Sequence, residues 1–332
     1  MVSNPRVSLR HQLHFTLKAI DMPAFSVAKN IVVNASADKV FATVADFGTW
    51  TSWSPWLIAE PEAKVVVSSN PSSIGSTYAW EGDVTGQGII KHVKLEPGQL
   101  IEEELEFIKP FKSRAKIAFE FRPSSSGTEV IWTMESSLPW FLFWMIPMMK
   151  TFIGMDYRRG LNMLKDYIET GSIPSKTIVH GVEAISPLRM AGLAGACHVD
   201  NVGETLHTKY VEVERIFNRL GISTEGGMIA VYTRFQVKQQ VFQYICGYVI
   251  PANENVPLDC GLTTWSLPAC KAFRVEHIGS YRHLGNGWSV ANQIARYRKL
   301  KQQRIGTFEL YRTTPPTTPE AELATDIYLP LK

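Results

Sequence analysis

Hydrophobic and polar positions alternate along much of the first half of the chain, and the period changes at a few definite places. Residues 25–34 are rich in β-branched and aromatic side chains and predict a strand. Ala35-Ser36-Ala37-Asp38 is a helix-start signal, and the stretch after it turns Val40, Phe41 and Val44 to one side. Beyond Pro55, strands are predicted at 63–67, 77–81, 88–95, 100–107, 113–122 and 128–135, parted by clusters such as Pro123-Ser124-Ser125-Ser126-Gly127. Tyr157, Leu161, Leu164 and Ile168 then fall at helical spacing. A curved antiparallel sheet closed by one long helix is the expected result. Glu169 to Pro174 ends that helix with Gly171 as the stop.

One strand departs from a plain pattern. Ile101, Glu103, Leu105 and Phe107 share a face, whereas Glu102, Glu104 and Glu106 share the other. Glu103 is therefore aimed with the apolar set. It is a carboxylate at a sheet rim or satisfied by a neighbour, or else a polar anchor inside a cavity.

Beyond Pro174 the chain repeats itself. An offset of 79 residues brings Gly227 onto Gly306, Tyr232 onto Tyr311 and Pro251 onto Pro330. One unit is expected as a strand at 190–199, a helix at 207–220 and strands at 228–232 and 241–250. The other is expected as a strand at 270–277, a helix at 284–302 and strands at 307–311 and 324–331. The helices carry the stripes Tyr210, Val213, Phe217, Leu220 and Trp288, Ala291, Ala295. Two such β-α-β-β units leave a cleft at their pseudo-twofold interface, a common place for ligands. The repeat is broken at one telling position, because Glu309 aligns with Ala230. Thr307, Glu309 and Tyr311 share a strand face, and Ala230 and Tyr232 lie on the corresponding face of the first unit.

Composition sharpens this division. The chain has 332 residues, and seven of its nine tryptophans precede residue 171, whereas Cys197, Cys246, Cys260 and Cys270 all follow it. Two separately built cores are expected: a tail at 1–24, a first domain at 25–171, a linker at 172–177 and a second domain at 178–332. Charge is nearly balanced in both parts, with 17 basic and 18 acidic residues up to Gly171 and 17 and 13 after it. Neither part is a polyanion-binding module by charge. No CxxC pair or HExxH motif points to a metal, so neither metal nor cofactor is expected, and reduced cysteines suggest a cytoplasmic protein.

Two segments stand apart. Residues 138–149 (LPWFLFWMIPMM) form the longest uncharged apolar run. Twelve residues fall short of the roughly 20 of a membrane span, so a core or interfacial segment is expected. The first 24 residues hold Arg6, Arg10, His11, His14 and Lys18 against Asp21. They read as a basic tail or as a weak membrane-surface or targeting segment.

The stretches NIVVNASADKVFATVADFGTWTSWSPW, STYAWEGDVTGQG, FIKPFKSRAKIAFEF and GMDYRRGLNMLKDYIETG resemble the START-like SRPBCC superfamily, which includes polyketide cyclases and dehydratases. The resemblance implies a helix-grip fold around an apolar cavity, with Glu103, Phe107, Trp80 and Trp132 as candidate lining residues, and it implies no reaction. FRVEHIGSYRHLGNGW, GTFELYRTTP and ATDIYLPL resemble the GyrI-like, or effector-binding, family, which also forms the ligand-sensing half of some AraC-type and MerR-type regulators. That resemblance implies that Glu309 is the acidic residue of a ligand pocket, with Tyr281, Trp288 and Tyr311 as aromatic lining. Tyr232 joins them by strand alternation. The fold class expected is α+β, a helix-grip antiparallel domain followed by a duplicated β-α-β-β domain.

Three functions from different classes are compatible with these residues. A carboxylate ringed by Tyr and Trp suits a hydrophobic cation, whose charge it neutralises while the rings add cation–π attraction. The same Glu309, with its pKa raised by apolar surroundings, suits acid/base hydrolysis of a strained or electrophilic small molecule. By resemblance, a gyrase-inhibitor-like interaction is the third. A small-molecule ligand is the partner expected. Neither part shows a helix-turn-helix with a basic recognition helix, so direct nucleic-acid binding is not expected.

Overall fold

The computed structural model describes residues 23–332, so the expected basic tail falls almost wholly outside the described residues. Strand β1 (Ala24–Val33) leads into α1 (Ala37–Ala45), where the Ser36 side chain accepts a hydrogen bond from the Lys39 amide and caps the helix. The short α2 (Trp50–Trp53) follows. Then come β2 (Lys64–Val67), β3 (Thr77–Gly82), β4 (Gly86–Glu96), β5 (Leu100–Lys109), β6 (Ser113–Ser124) and β7 (Gly127–Ser137). Gly127 turns the β6–β7 hairpin at φ 135°, with a would-be Cβ 2.1 Å from the Val33 carbonyl oxygen, so no other residue fits there. Helix α3 (Ile146–Thr170) closes the sheet and ends at Gly171 in the left-handed region, whose amide donates to the Tyr167 carbonyl.

These strands form a seven-stranded antiparallel sheet in the order β1-β7-β6-β5-β4-β3-β2, with α3 lying along β1. The stripe foreseen on α3 is buried in full: Tyr157, Leu161, Leu164 and Ile168 all enter the core. Tyr157 stacks on Trp132 at 4.0 Å between ring centroids, and Trp132 stacks in turn on Phe119 at 4.8 Å. This ladder of rings is the centre of the first core. Of the helix trio, Val40 and Val44 are fully buried, while Phe41 is half-buried and packs edge-on against Phe121.

The second sheet has eight strands in the order β12-β9-β11-β10-β14-β15-β13-β8. They are β8 (Ser175–Ile185), β9 (Leu188–His198), β10 (Met228–Gln236), β11 (Val241–Val249), β12 (Thr263–Leu267), β13 (Cys270–Gly279), β14 (Thr307–Tyr311) and β15 (Ala324–Leu331). Helix α4 (Val202–Leu220) follows β9, and α5 (Leu284–Tyr297) follows β13. Leaving aside the edge strands β12 and β8, the order β9-β11-β10 mirrors β13-β15-β14, as the 79-residue repeat requires. Several local expectations differ from the structure. Strand β8 begins at Ser175, inside the stretch expected as linker, because it adds to the free edge of β13. Helix α4 starts five residues early, and α5 ends at Tyr297 rather than 302, since Lys299 takes a positive φ of 54°. Leu220, read as part of the α4 stripe, is exposed at the helix end.

The two sheets share an interface. Ile58, Ala59 and Val84 from the first half pack into a core with Phe273, Val290 and Ile294 of the second. Across the same interface Asp166 of α3 accepts from His283 at 2.6 Å and from Arg282 at 3.2 Å, and Arg159 donates to Asn286 at 3.0 Å. Helix α5 is thus held from both sides.

Candidate functional site

The centre of the second sheet is the antiparallel pair β10–β14, in which Ala230 stands directly opposite Glu309 and Tyr232 opposite Thr307. Helix α4 packs on β9 and β11, and α5 on β13 and β15, so the floor between the helices is this central pair. Ala230 is fully buried opposite the carboxylate, packed among Tyr210, Tyr232, Tyr244 and Tyr311. The repeat and the antiparallel register together bring the two corresponding positions face to face.

Glu309 is 2% exposed. Three donors converge on it: the Trp288 indole N–H donates to Oε1, and the hydroxyls of Tyr311 (2.6 Å) and Tyr232 (3.1 Å) donate to Oε2. Trp288 and Tyr232 meet edge to face at 5.4 Å. Burial pushes the Glu309 carboxyl above its ordinary range and outweighs the three hydrogen bonds, which favour the anion. The same burial, with the carboxylate nearby, holds the Tyr232 and Tyr311 hydroxyls well above theirs.

Tyr281 stands one layer further out. Its ring meets Tyr311 edge-on at 5.5 Å, and its hydroxyl donates to the Thr313 carbonyl at 3.3 Å rather than to Glu309. Burial pushes that hydroxyl up to about 12. An open depression of about 570 Å³ lies beside Tyr281, rimmed by Arg282, Pro315, Thr318 and Glu320. Tyr210 of α4 completes the ring by packing on Tyr311 at 6.0 Å, and its buried hydroxyl has no hydrogen-bond partner. The sequence reading assigned Tyr210 to the helix's core stripe. Its signal, a hydroxyl-bearing ring at the N-terminal end of that stripe, becomes legible once α4 is known to border the cleft.

In the first half, Glu103 is 1% exposed, which excludes the sheet-rim reading. His92, its cross-strand partner on β4, places Nδ1 3.2 Å from Glu103 Oε1. The other ring nitrogen of His92 donates to the Ala45 carbonyl at 2.9 Å, and the ring stacks on Phe47. With one ring nitrogen committed to the Ala45 carbonyl, Nδ1 is the nitrogen that faces Glu103. Burial raises the Glu103 carboxyl, against the pull of His92. The contact is poorly aligned, and both Glu103 oxygens, the Tyr78 hydroxyl and the Trp132 indole N–H are buried without a hydrogen-bond partner. The four residues expected to line this cavity do not share one centre. Trp80 and Phe107 pack edge to face at 5.9 Å, whereas Trp132 belongs to the stack with Phe119 and Tyr157.

All four cysteines are free, with Cys197 and Cys246 buried and Cys260 and Cys270 half-buried. Among the described residues, no helix is long and apolar enough to cross a membrane.

The folds and this geometry agree with the family matches. Residues 24–169 match the family described as polyketide cyclase/dehydrase and lipid transport, and residues 182–332 match the GyrI-like small molecule binding domain. The chain thus has a START-like SRPBCC domain followed by a GyrI-like domain, the second a small-molecule-binding module. Among solved structures it is similar to the Aha1 dimer from Colwellia psychrerythraea, at 19% identity and a TM-score of 0.34, over 44% of this chain and 98% of that one. A protein from Nitrosospira multiformis is similar at 21% identity and a TM-score of 0.34, over 44% and 97%. EcmrR in its DNA complex is similar at 14% identity and a TM-score of 0.39, over 54% and 66%. No curated protein matches the chain.

Proposed function

We propose that the protein is a small-molecule binder whose principal site is the cleft over β10 and β14, with Glu309 as its centre and a hydrophobic cation as its ligand class. The observation that supports this reading most is the buried Glu309 carboxylate set opposite Ala230 and surrounded by Trp288, Tyr232 and Tyr311. A cation entering the cleft neutralises a charge that the interior disfavours, and the ring faces add attraction of about 0.5–2 kcal/mol per contact. Tyr281 and Tyr210 would close the aromatic wall. The four free cysteines fit a cytoplasmic setting.

Isothermal titration with tetraphenylphosphonium tests this. The wild-type chain is expected to bind saturably, and Glu309→Gln to bind at least about tenfold more weakly through loss of the charge. Unchanged affinity in that variant would overturn the assignment. Because the carboxyl is raised, affinity should climb as pH rises through its titration.

A second reading has its own support. The raised carboxyl, with the Tyr311 hydroxyl 2.6 Å away, is the arrangement of an acid that protonates a leaving oxygen. In that case Glu309 protonates the oxygen of a strained ring such as an epoxide while water opens it, Trp288 or Tyr311 positions the substrate, and the product is a diol. Turnover of an epoxide probe by substoichiometric protein, abolished in Glu309→Gln, separates hydrolysis from binding alone.

A further inference from the structure

The apolar run at 138–149 takes no part in either site. Residues Trp140–Met145 form a 3-10 turn that precedes α3, and none of the six is buried. Trp140, Phe141, Phe143 and Trp144 are 57%, 57%, 61% and 62% exposed, and Phe111, at the tip of the β5–β6 hairpin, is 79% exposed. Large rings left in water at this density are abnormal for a free surface.

These rings are gathered at one end of the first sheet. The Ser136 hydroxyl donates to the Arg114 carbonyl at 2.8 Å, so β7 delivers the chain to the turn from beside the β5–β6 hairpin. The Leu138 amide donates to the Pro23 carbonyl at 3.1 Å, which holds the start of β1 at the same end. Charge here is one-sided in sequence. Residues 107–119 contain Lys109, Lys112, Arg114 and Lys116 and no acid, and residues 138–155 contain Lys150 and no acid. Two of these bases have acidic neighbours, Lys109 with Glu81 at 3.7 Å and Arg114 with Glu106 at 3.6 Å, both exposed pairs. Among the described residues, Lys112 and Lys150 pair with no acid.

We infer that this end of the molecule docks on an anionic membrane surface, with the rings of Trp140, Phe141, Phe143, Trp144 and Phe111 in the interfacial layer and the lysines at the headgroups. Trp partitions to that layer because its indole meets both water and acyl chain, and Phe adds apolar area buried at the same depth. Basic residues beside them add attraction to anionic lipid. The segment lies on the bilayer rather than crossing it, as its length dictates. A second copy of the chain is a poorer occupant, because self-docking would bring two like-charged rims together.

Co-sedimentation of the full chain with vesicles tests the inference, using phosphatidylcholine alone and phosphatidylcholine with phosphatidylglycerol at a ratio of roughly 2:1. The wild-type chain should pellet with the mixed vesicles and much less with neutral ones, and added salt should release it. Trp140→Glu/Trp144→Glu should lower the bound fraction about tenfold, since it puts charge where rings must enter the bilayer. Lys112→Ala/Lys150→Ala should lower it severalfold and reduce the salt dependence. All four positions are exposed, and circular dichroism checks that the variants fold. Absence of binding to mixed vesicles, indifference to the anionic lipid, or equal binding by the double-glutamate variant would each overturn the inference. So would a wild-type dimer in sedimentation velocity that the same variant dissociates while vesicles recover neither protein.

Discussion

Glu103 and Glu309 are both strand carboxylates withdrawn from water among aromatic rings, yet one has three well-aligned donors and the other a single misaligned histidine. Around Glu309 three side-chain donors are already in place, so the carboxylate is held in one orientation by Trp288, Tyr232 and Tyr311. Around Glu103, the Tyr78 hydroxyl and the Trp132 N–H are also without partners, although all lie in one core. Buried polar groups are rarely left so, and here several share one core. The lesson is that burial of an acid does not define its use. The donors around it do.

The largest effect should separate the two regions by packing. Trp132→Ala empties the middle of a three-ring stack and should cost about 3–5 kcal/mol in urea unfolding. Trp288→Ala, at a half-buried position on the cleft, should cost substantially less while weakening binding. Equal costs would mean that the cleft is as much a core as the stack is.

Next in size, His92→Ala deprives Glu103 of its neighbour and should cost about 1–3 kcal/mol, whereas Tyr232→Phe removes one of three donors to Glu309 and should cost about 0.5–1.5 kcal/mol. Urea midpoints of the two variants compare the poorly partnered acid with the well partnered one. The reverse order would show that the His92 contact is dispensable.

The smallest effect is on pH dependence. Both carboxyls are raised in the folded state by burial, so the native chain binds more protons than the unfolded chain above the ordinary carboxyl range. The stability they contribute is complete below the unfolded value, about 4.3, and is lost as pH rises through the folded one. Glu103→Gln and Glu309→Gln should each flatten that decline in thermal melts. A decline unchanged in both variants would show that neither acid is raised.

Much of this was legible in the sequence for identifiable reasons. Period-two alternation placed Glu103 inward with Ile101 and Leu105, because strand side chains must alternate. The internal repeat aligned Glu309 with Ala230, and antiparallel pairing about the pseudo-twofold axis set the same two residues face to face. His92 and Tyr210 were not legible, since their importance arises from cross-strand and cross-helix neighbours that spacing does not encode. Strand β8 was missed in part because an edge strand needs a free edge, and only the folded sheet supplies one. The 138–149 run was read as core or interfacial from its hydropathy, and only the folded chain shows that it lies outside the cores.

By itself, then, the sequence determined two separately patterned halves, the faces of their strands and helices, the duplication and the identity of the acid at its axis. These follow from local periodicity and from comparison of the chain with itself. Tertiary structure alone decided which donors reach Glu309, that His92 stands against Glu103, that Asp166 and His283 join the halves, and that five large rings remain in water. Each depends on contacts between residues far apart in the chain, and such contacts are set by how faces pack rather than by what any one segment prefers.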